Sequence, residues 1–227
     1  MENKIELLKR IVNRLEGENN ESLKLSLSNV HARGMFSLVV DGTEFGKLTR
    51  VFISDYKLNP FDVQLHTHRY PIRLTTISGN INHHIAKIYD SRVSITHNGI
   101  TSKISTISDN KHGNVELSKF EYKSALNGGF GLKYMGETYV TCSDYMIPPM
   151  STINLGINDY HTMSCSKDSI WIVEELGYET DISYVLGKPF GVNTLYNKPF
   201  EFEIESKSKL VLDKLREIIK GYETISF

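Results

Sequence analysis

Two hydrophobic periodicities alternate along this chain. Ile5, Leu8, Val12 and Leu15 recur at three- and four-residue intervals and predict an amphipathic helix over residues 2–16. Gly17 and the polar run to Glu21 end it. From about residue 23 the period shortens toward two, in LKLSLS, GMFSLVV, KLTRVFISDY and FDVQLHTH. Turn chemistry punctuates these runs at Asp41-Gly42, Asn59-Pro60, Gly79-Asn80 and Asn98-Gly99. Further short runs follow: HHIAKIYD, RVSITH, SKISTIS, GLKYM, TYVTCSDYMI, TINLGI, YHTMSC and SIWIVEEL. Many short strands between turn signals argue for a sandwich or barrel. Leu210, Leu215, Ile218 and Ile219, closed by Gly221, predict a second helix over 207–220. The expectation is an all-β-dominated single domain over 1–227, with its β-barrel at 23–205 and a helix at each end.

Composition narrows the function classes. Of 227 residues, 40% are hydrophobic and 23% charged, enough for a sizeable core in an ordinary globular chain. Net charge is −1 and the 26 Lys and Arg are scattered, which argues against nucleic acid as a partner. Cys142 and Cys165 cannot supply a disulfide framework or a zinc ribbon. The opening MENKIELLKRIVNRLEGENN lacks the apolar stretch of a signal peptide, and no apolar run reaches membrane-span length. A cytoplasmic protein without a membrane partner is expected.

The candidate chemistry lies in the histidines. His66 and His68 flank Thr67, and side chains at i and i+2 of a strand share one face. His161 lies far along the chain in a second β-rich run. Three neutral imidazoles brought together suit a divalent metal with coordination positions left open. His83 and His84 follow the Gly79 turn and face opposite ways, so one can reach the interior, although cross-strand packing is the ordinary role. His31, His97 and His112 stand in polar or turn-rich contexts and read as solvent-facing. Cys165 shares parity with His161, Trp171 reads as core, and one of Glu174 and Glu175 can face inward. Gly128-Gly129-Phe130-Gly131 lacks the following helix of a phosphate loop and reads as a hairpin turn. Lys188-Pro189-Phe190 and Lys198-Pro199-Phe200 read as strand-bounding turns. No local run carries a persuasive Ser-His-Asp or Cys-His constellation.

The segment LHTHRYPIRLTTISGNI resembles the first motif of the cupins, with His66 and His68 as the paired ligands and Gly79 as the turn glycine. IPPMSTINLGINDYHTMSCSKDSIWIVEEL is similar to the second motif, with His161 after a turn. The resemblance covers roughly residues 35–176 and looks closest to the cysteine-dioxygenase-like group. It implies a double-stranded β-helix, a jelly-roll barrel, holding Fe(II) on His66, His68 and His161, with a homodimer as the family's habit. Where the family carries Glu or Cys at the fourth motif position, this chain has Arg73, and the Ser-x-His-x-Tyr pattern has no clear counterpart.

The function expected is therefore a non-haem Fe(II) oxygenase acting on a small anionic or thiol substrate. Arg73, if a bulge at Pro71 turns it inward, would orient that substrate. A non-catalytic module gripping a small anion, with Arg69 and Arg73 beside the histidines, is the alternative from a different class. A metal-dependent isomerase or lyase using Zn, Mn or Ni is the third.

Overall fold

The computed structural model describes residues 4–17, 20–60, 62–89, 92–97, 100–105, 115–123, 131–187 and 198–225. The Asn98-Gly99 turn, the glycines at 128–129, Lys188-Pro189-Phe190, His112 and the ring of His97 lie outside what is described. Helix α1 (Lys4–Glu16) opens the chain and α2 (Glu201–Ile225) closes it. Between them run β1 (Met35–Asp41), β2 (Thr49–Ser54), β3 (Leu65–His66), β4 (Ile72–Ser78), β5 (Ile81–Tyr89), β6 (Arg92–His97) and β7 (Ile100–Ser105). The series continues with β8 (Val115–Lys123), β9 (Gly131–Ile147), β10 (Thr152–Leu155), β11 (Tyr160–Cys165), β12 (Ile170–Glu175) and β13 (Ser183–Gly187).

The strands build one five-stranded antiparallel sheet, ordered β1-β2-β12-β4-β10, and a second set that closes on itself as β11-β3-β13-β8-β9-β5. Strand alternation assigns the faces. In β12, Ile170 and Ile172 point outward onto Leu7, Leu8, Ile11 and Val12 of α1 and Val211 and Leu215 of α2. Burying side chains of this size contributes roughly 1.5–3 kcal/mol each, which is what holds the helices on the sheet. Trp171 and Val173 point the other way, into the space between the sheets, with Phe52, Leu74, Ile81 and Met163. Trp171 is core, stacked on Phe52 with ring centroids 5.5 Å apart. A third cluster, Leu65, Ala86, Val140, Tyr160 and Leu186, draws on five of the six closing strands and fills the inside of that closure. The second sheet thus carries one core on each face.

Some boundaries differ from expectation, for local reasons. LKLSLS forms no strand: Asn20 caps a 3-10 turn at Glu21–Leu25 by accepting from the Ser22 N–H, and the run reaches β1 through an isolated bridge from Leu27 to Ser37. GLKYM and TYVTCSDYMI join as β9, which passes through Gly136 at φ +108°, a left-handed value glycine tolerates. Lys198-Pro199-Phe200 does not bound a strand but opens α2, where the Glu203 carboxylate accepts from the Phe200 N–H 2.8 Å away. Gly221 does not close that helix, which continues to Ile225. Gly79, at φ +87° between β4 and β5, sits so close to Ser169 that an added Cβ would collide with it. Among the described residues no helix is long and apolar enough to cross a membrane.

Candidate metal centre

The fold brings His66, His68 and His161 together. Strand β3 pairs His66 directly with His161 of β11, and alternation aims both rings into the space between the sheets. His68 follows two residues later. It is held in place because Thr67 donates its N–H to Tyr184 O and receives the Tyr184 N–H on its hydroxyl, each at 2.9 Å. The ring centroids form a nearly equal triangle of 4.6, 4.9 and 4.9 Å, and one nitrogen from each ring lies within 4.8 Å of the others. Bonds from imidazole to a divalent ion are about 2.1 Å, so a side-chain adjustment is all one ion needs to take all three.

Hydrogen bonds select which nitrogen each ring offers. His66 Nδ1 lies 2.8 Å from Gln64 O, so it carries the proton and leaves Nε2 free. His161 Nδ1 lies 2.6 Å from His83 Nε2, and His161 Nε2 lies 2.7 Å from His68 Nε2. His83 is fully buried, and its Nδ1 has no hydrogen-bond partner among the described residues. It is thus an orienting group behind His161, the role outer hydrogen bonds play around metal-ligating imidazoles. Expecting His83 in a packing role missed this. The signal was available only in the register, where His83 stands opposite Met163, two residues from His161 on the same face.

Electrostatics keep the rings neutral. Burial, followed by the neighbouring imidazoles, pushes His68 and His161 well below the ordinary histidine value. Burial lowers His66 against the opposing pull of Gln64 O, and lowers His83 from 6.5 to about 4. A fifth ring, His31, stacks on His66 at 4.7 Å from a residue at φ +63°. Desolvation, then His66 and Arg50, lower His31 too, though an exposed residue feels this pressure less than its buried neighbours. His31 faces solvent as expected, and it also covers the cluster.

Arg73 is not part of the site. No bulge forms at Pro71: Ile72 and Leu74 keep the parity of His66 and His68 and face inward, while Arg73 faces the helices. There its Nη1 lies 3.4 Å from Glu174, which also holds Arg10 of α1 at 3.1 Å. The inward charges are others. Glu175 receives Arg50 Nε at 2.8 Å and the Gly46 N–H at 2.6 Å, with both side chains buried. Burial, then the Glu175 carboxylate, hold the Tyr70 phenol above its usual range. Arg69, beside His68, lays its guanidinium over Phe45 at 6.0 Å and has a buried Nη1 with no hydrogen-bond partner among the described residues. Cys165 lies in the apolar core, its thiol pushed up by burial.

No family model and no curated protein matches this chain. Among solved structures that match is hydroquinone 1,2-dioxygenase PnpCD in complex with Cd2+ and 4-hydroxybenzonitrile. The alignment covers 68% of this chain and 65% of that one, just under two thirds, at 12% identity and a TM-score of 0.29. At that score the likeness carries no argument. A β-rich protein with a candidate three-histidine metal centre is what fold and site define.

Proposed function

We propose that this chain is a metal-dependent cupin, a non-haem Fe(II) oxygenase for a small anionic or thiol substrate. The observation that carries the reading is the convergence of His66, His68 and His161 from two distant segments, all three held neutral. An all-imidazole donor set fits Fe(II), and also Zn or Ni, and leaves the ion its full positive charge. Bound there, Fe(II) would supply oxygen activation next to the substrate. The chain's own residues do the rest. His83 holds the tautomer of His161 and Gln64 that of His66. Arg69, rather than Arg73, offers the uncommitted guanidinium nitrogen that an anionic group would take beside His68.

Purified protein should carry close to one transition-metal equivalent, and His161→Ala should lose most of it, measured by elemental analysis. Iron-loaded protein should consume oxygen in the presence of a small thiol or carboxylate. Arg69→Met should weaken that substrate about tenfold or more, the scale of a charge-assisted hydrogen bond, while keeping the metal. Full metal retention in His161→Ala would remove the basis of this reading.

A metal-free ligand-binding module is the second reading. It is favoured by the 2.7 Å contact between His68 and His161, which already satisfies both nitrogens without an ion. Anion binding by metal-stripped protein at undiminished affinity would select it.

A further inference from the structure

We propose that Ser164, His84 and Asp144 form a second, metal-independent centre that hydrolyses small carboxylic esters. The three residues lie far apart in sequence but come from β11, β5 and β9, neighbouring strands of the closing sheet. His84 Nδ1 stands 2.6 Å from Asp144 Oδ1, and His84 Nε2 stands 3.0 Å from Ser164 Oγ. A carboxylate on one ring nitrogen and a hydroxyl on the other is the order of contacts that activates a serine. The carboxylate keeps the proton on Nδ1, and the Nε2 lone pair is left to accept the hydroxyl proton.

Register builds the arrangement. His84 is opposite Asp144 across one ladder and Thr162 across the other, so Ser164, two residues along β11, shares its face. Asn82 stands directly opposite Ser164, and cross-strand partners keep their Cβ atoms about 4.5–5.5 Å apart. In the proposed centre its side-chain amide supplies the donor for a carbonyl oxygen under attack by Ser164. His83 and His161 face the other side of the same sheet, so this centre shares no side chain with the candidate metal site.

Burial sets the substrate class. Ser164 and His84 are buried, whereas the Asp144 side chain is 73% exposed beside exposed Tyr145 and Met146. A serine this buried leaves no room for a bulky acyl group, so short-chain esters are the proposed substrates. Ser164 Oγ adds to the ester carbonyl while His84 Nε2 takes its proton. The C–O bond to the alcohol then breaks, and that proton leaves on the alcohol oxygen. Water next attacks the acyl-serine, giving a proton to His84, which returns it to Ser164 Oγ as the carboxylic acid departs. No oxidant or metal enters the balance.

The full chain, with and without a metal chelator, is treated with a small fluorophosphonate and digested for peptide mass spectrometry. Alongside this, hydrolysis of p-nitrophenyl acetate is followed. The expected result is phosphonylation of Ser164, ester turnover lost in Ser164→Ala, and neither affected by the chelator. Asp144→Asn, a solvent-exposed change that spares the fold, should slow labelling about tenfold. That is less than for a buried triad carboxylate, because water screens Asp144. Absence of the Ser164 adduct in folded wild-type protein, or an unchanged labelling rate in Asp144→Asn, would reduce the three residues to a structural polar ladder and overturn the proposal.

Discussion

Glu174 and Glu175 are neighbours on one strand, and each holds an arginine, yet they do different things. Glu174 faces the helices, where Arg10 and Arg73 reach it from partly exposed positions, with 35% of the Arg73 side chain still accessible. Glu175 faces the interior, where its side chain and that of Arg50 are 1% and 9% accessible. On the outer face, water screens the charges and the side chains give up rotamer freedom to meet, so such pairs contribute little. On the inner face, neither charge has water to return to. The buried pair is therefore costly to break, whatever its net value to stability. It also fixes the Gly46 and Leu48 backbone, both of which donate to Glu175, beside the Phe45 ring that Arg50 and Arg69 approach. Alternation alone separates a structural clamp at the helix seam from a group that shapes the floor of the site.

The sharpest way to break that contrast is Glu175→Gln. It strands Arg50 as an uncompensated buried charge and should cost about 3–5 kcal/mol in chemical denaturation. A loss of under about 1 kcal/mol would put the two pairs on the same footing.

Acid should act on the interior histidines. His66, His68, His83 and His161 all have lowered values in the folded protein, so the unfolded chain binds protons more readily. Their stabilisation is complete above the unfolded value of about 6.5 and is lost as pH falls below it. For His83 the loss runs from 6.5 down to about 4 and amounts to roughly 3 kcal/mol. Denaturation midpoints flat between pH 7 and 5 would mean that these rings are not neutral in the folded state.

His83→Gln tests the orienting contact behind His161. Metal affinity, read by competition with a chelator, should fall about 10–100-fold, as for other outer-sphere partners of ligating histidines. The smallest effect belongs to Arg73→Ala, whose partner sits on the outer face. Stability should move by under about 1 kcal/mol, with no change in ligand affinity. A large loss of ligand affinity there would return Arg73 to the interior.

Much of this was legible in the residues themselves. Period identified α1 and the β-rich middle, and the i, i+2 spacing of His66 and His68 put both on one face. Gly79 marked a turn that no larger residue could make, given its approach to Ser169. The limits came where context overrides period. The alternation in LKLSLS was outcompeted by the Asn20 cap, and a capping contact from Glu203 turned Lys198-Pro199-Phe200 into a helix start. At Pro71 the sequence admitted two parities for Arg73, because a bulge adds a residue without leaving a trace in composition.

By itself the sequence determined which residues share a strand face, since a two-residue period is a property of the local backbone. It therefore determined that His66 pairs with His68 and that His83 and His84 part company. Only the tertiary structure decided which distant strands meet. His161 reaches His66 because β11 lies between β3 and β5, and the same placement brings Ser164 to His84 and Asp144. Strand order depends on how two sheets and two helices together bury their apolar faces. That is a sum over the whole chain, and no local run of residues contains it.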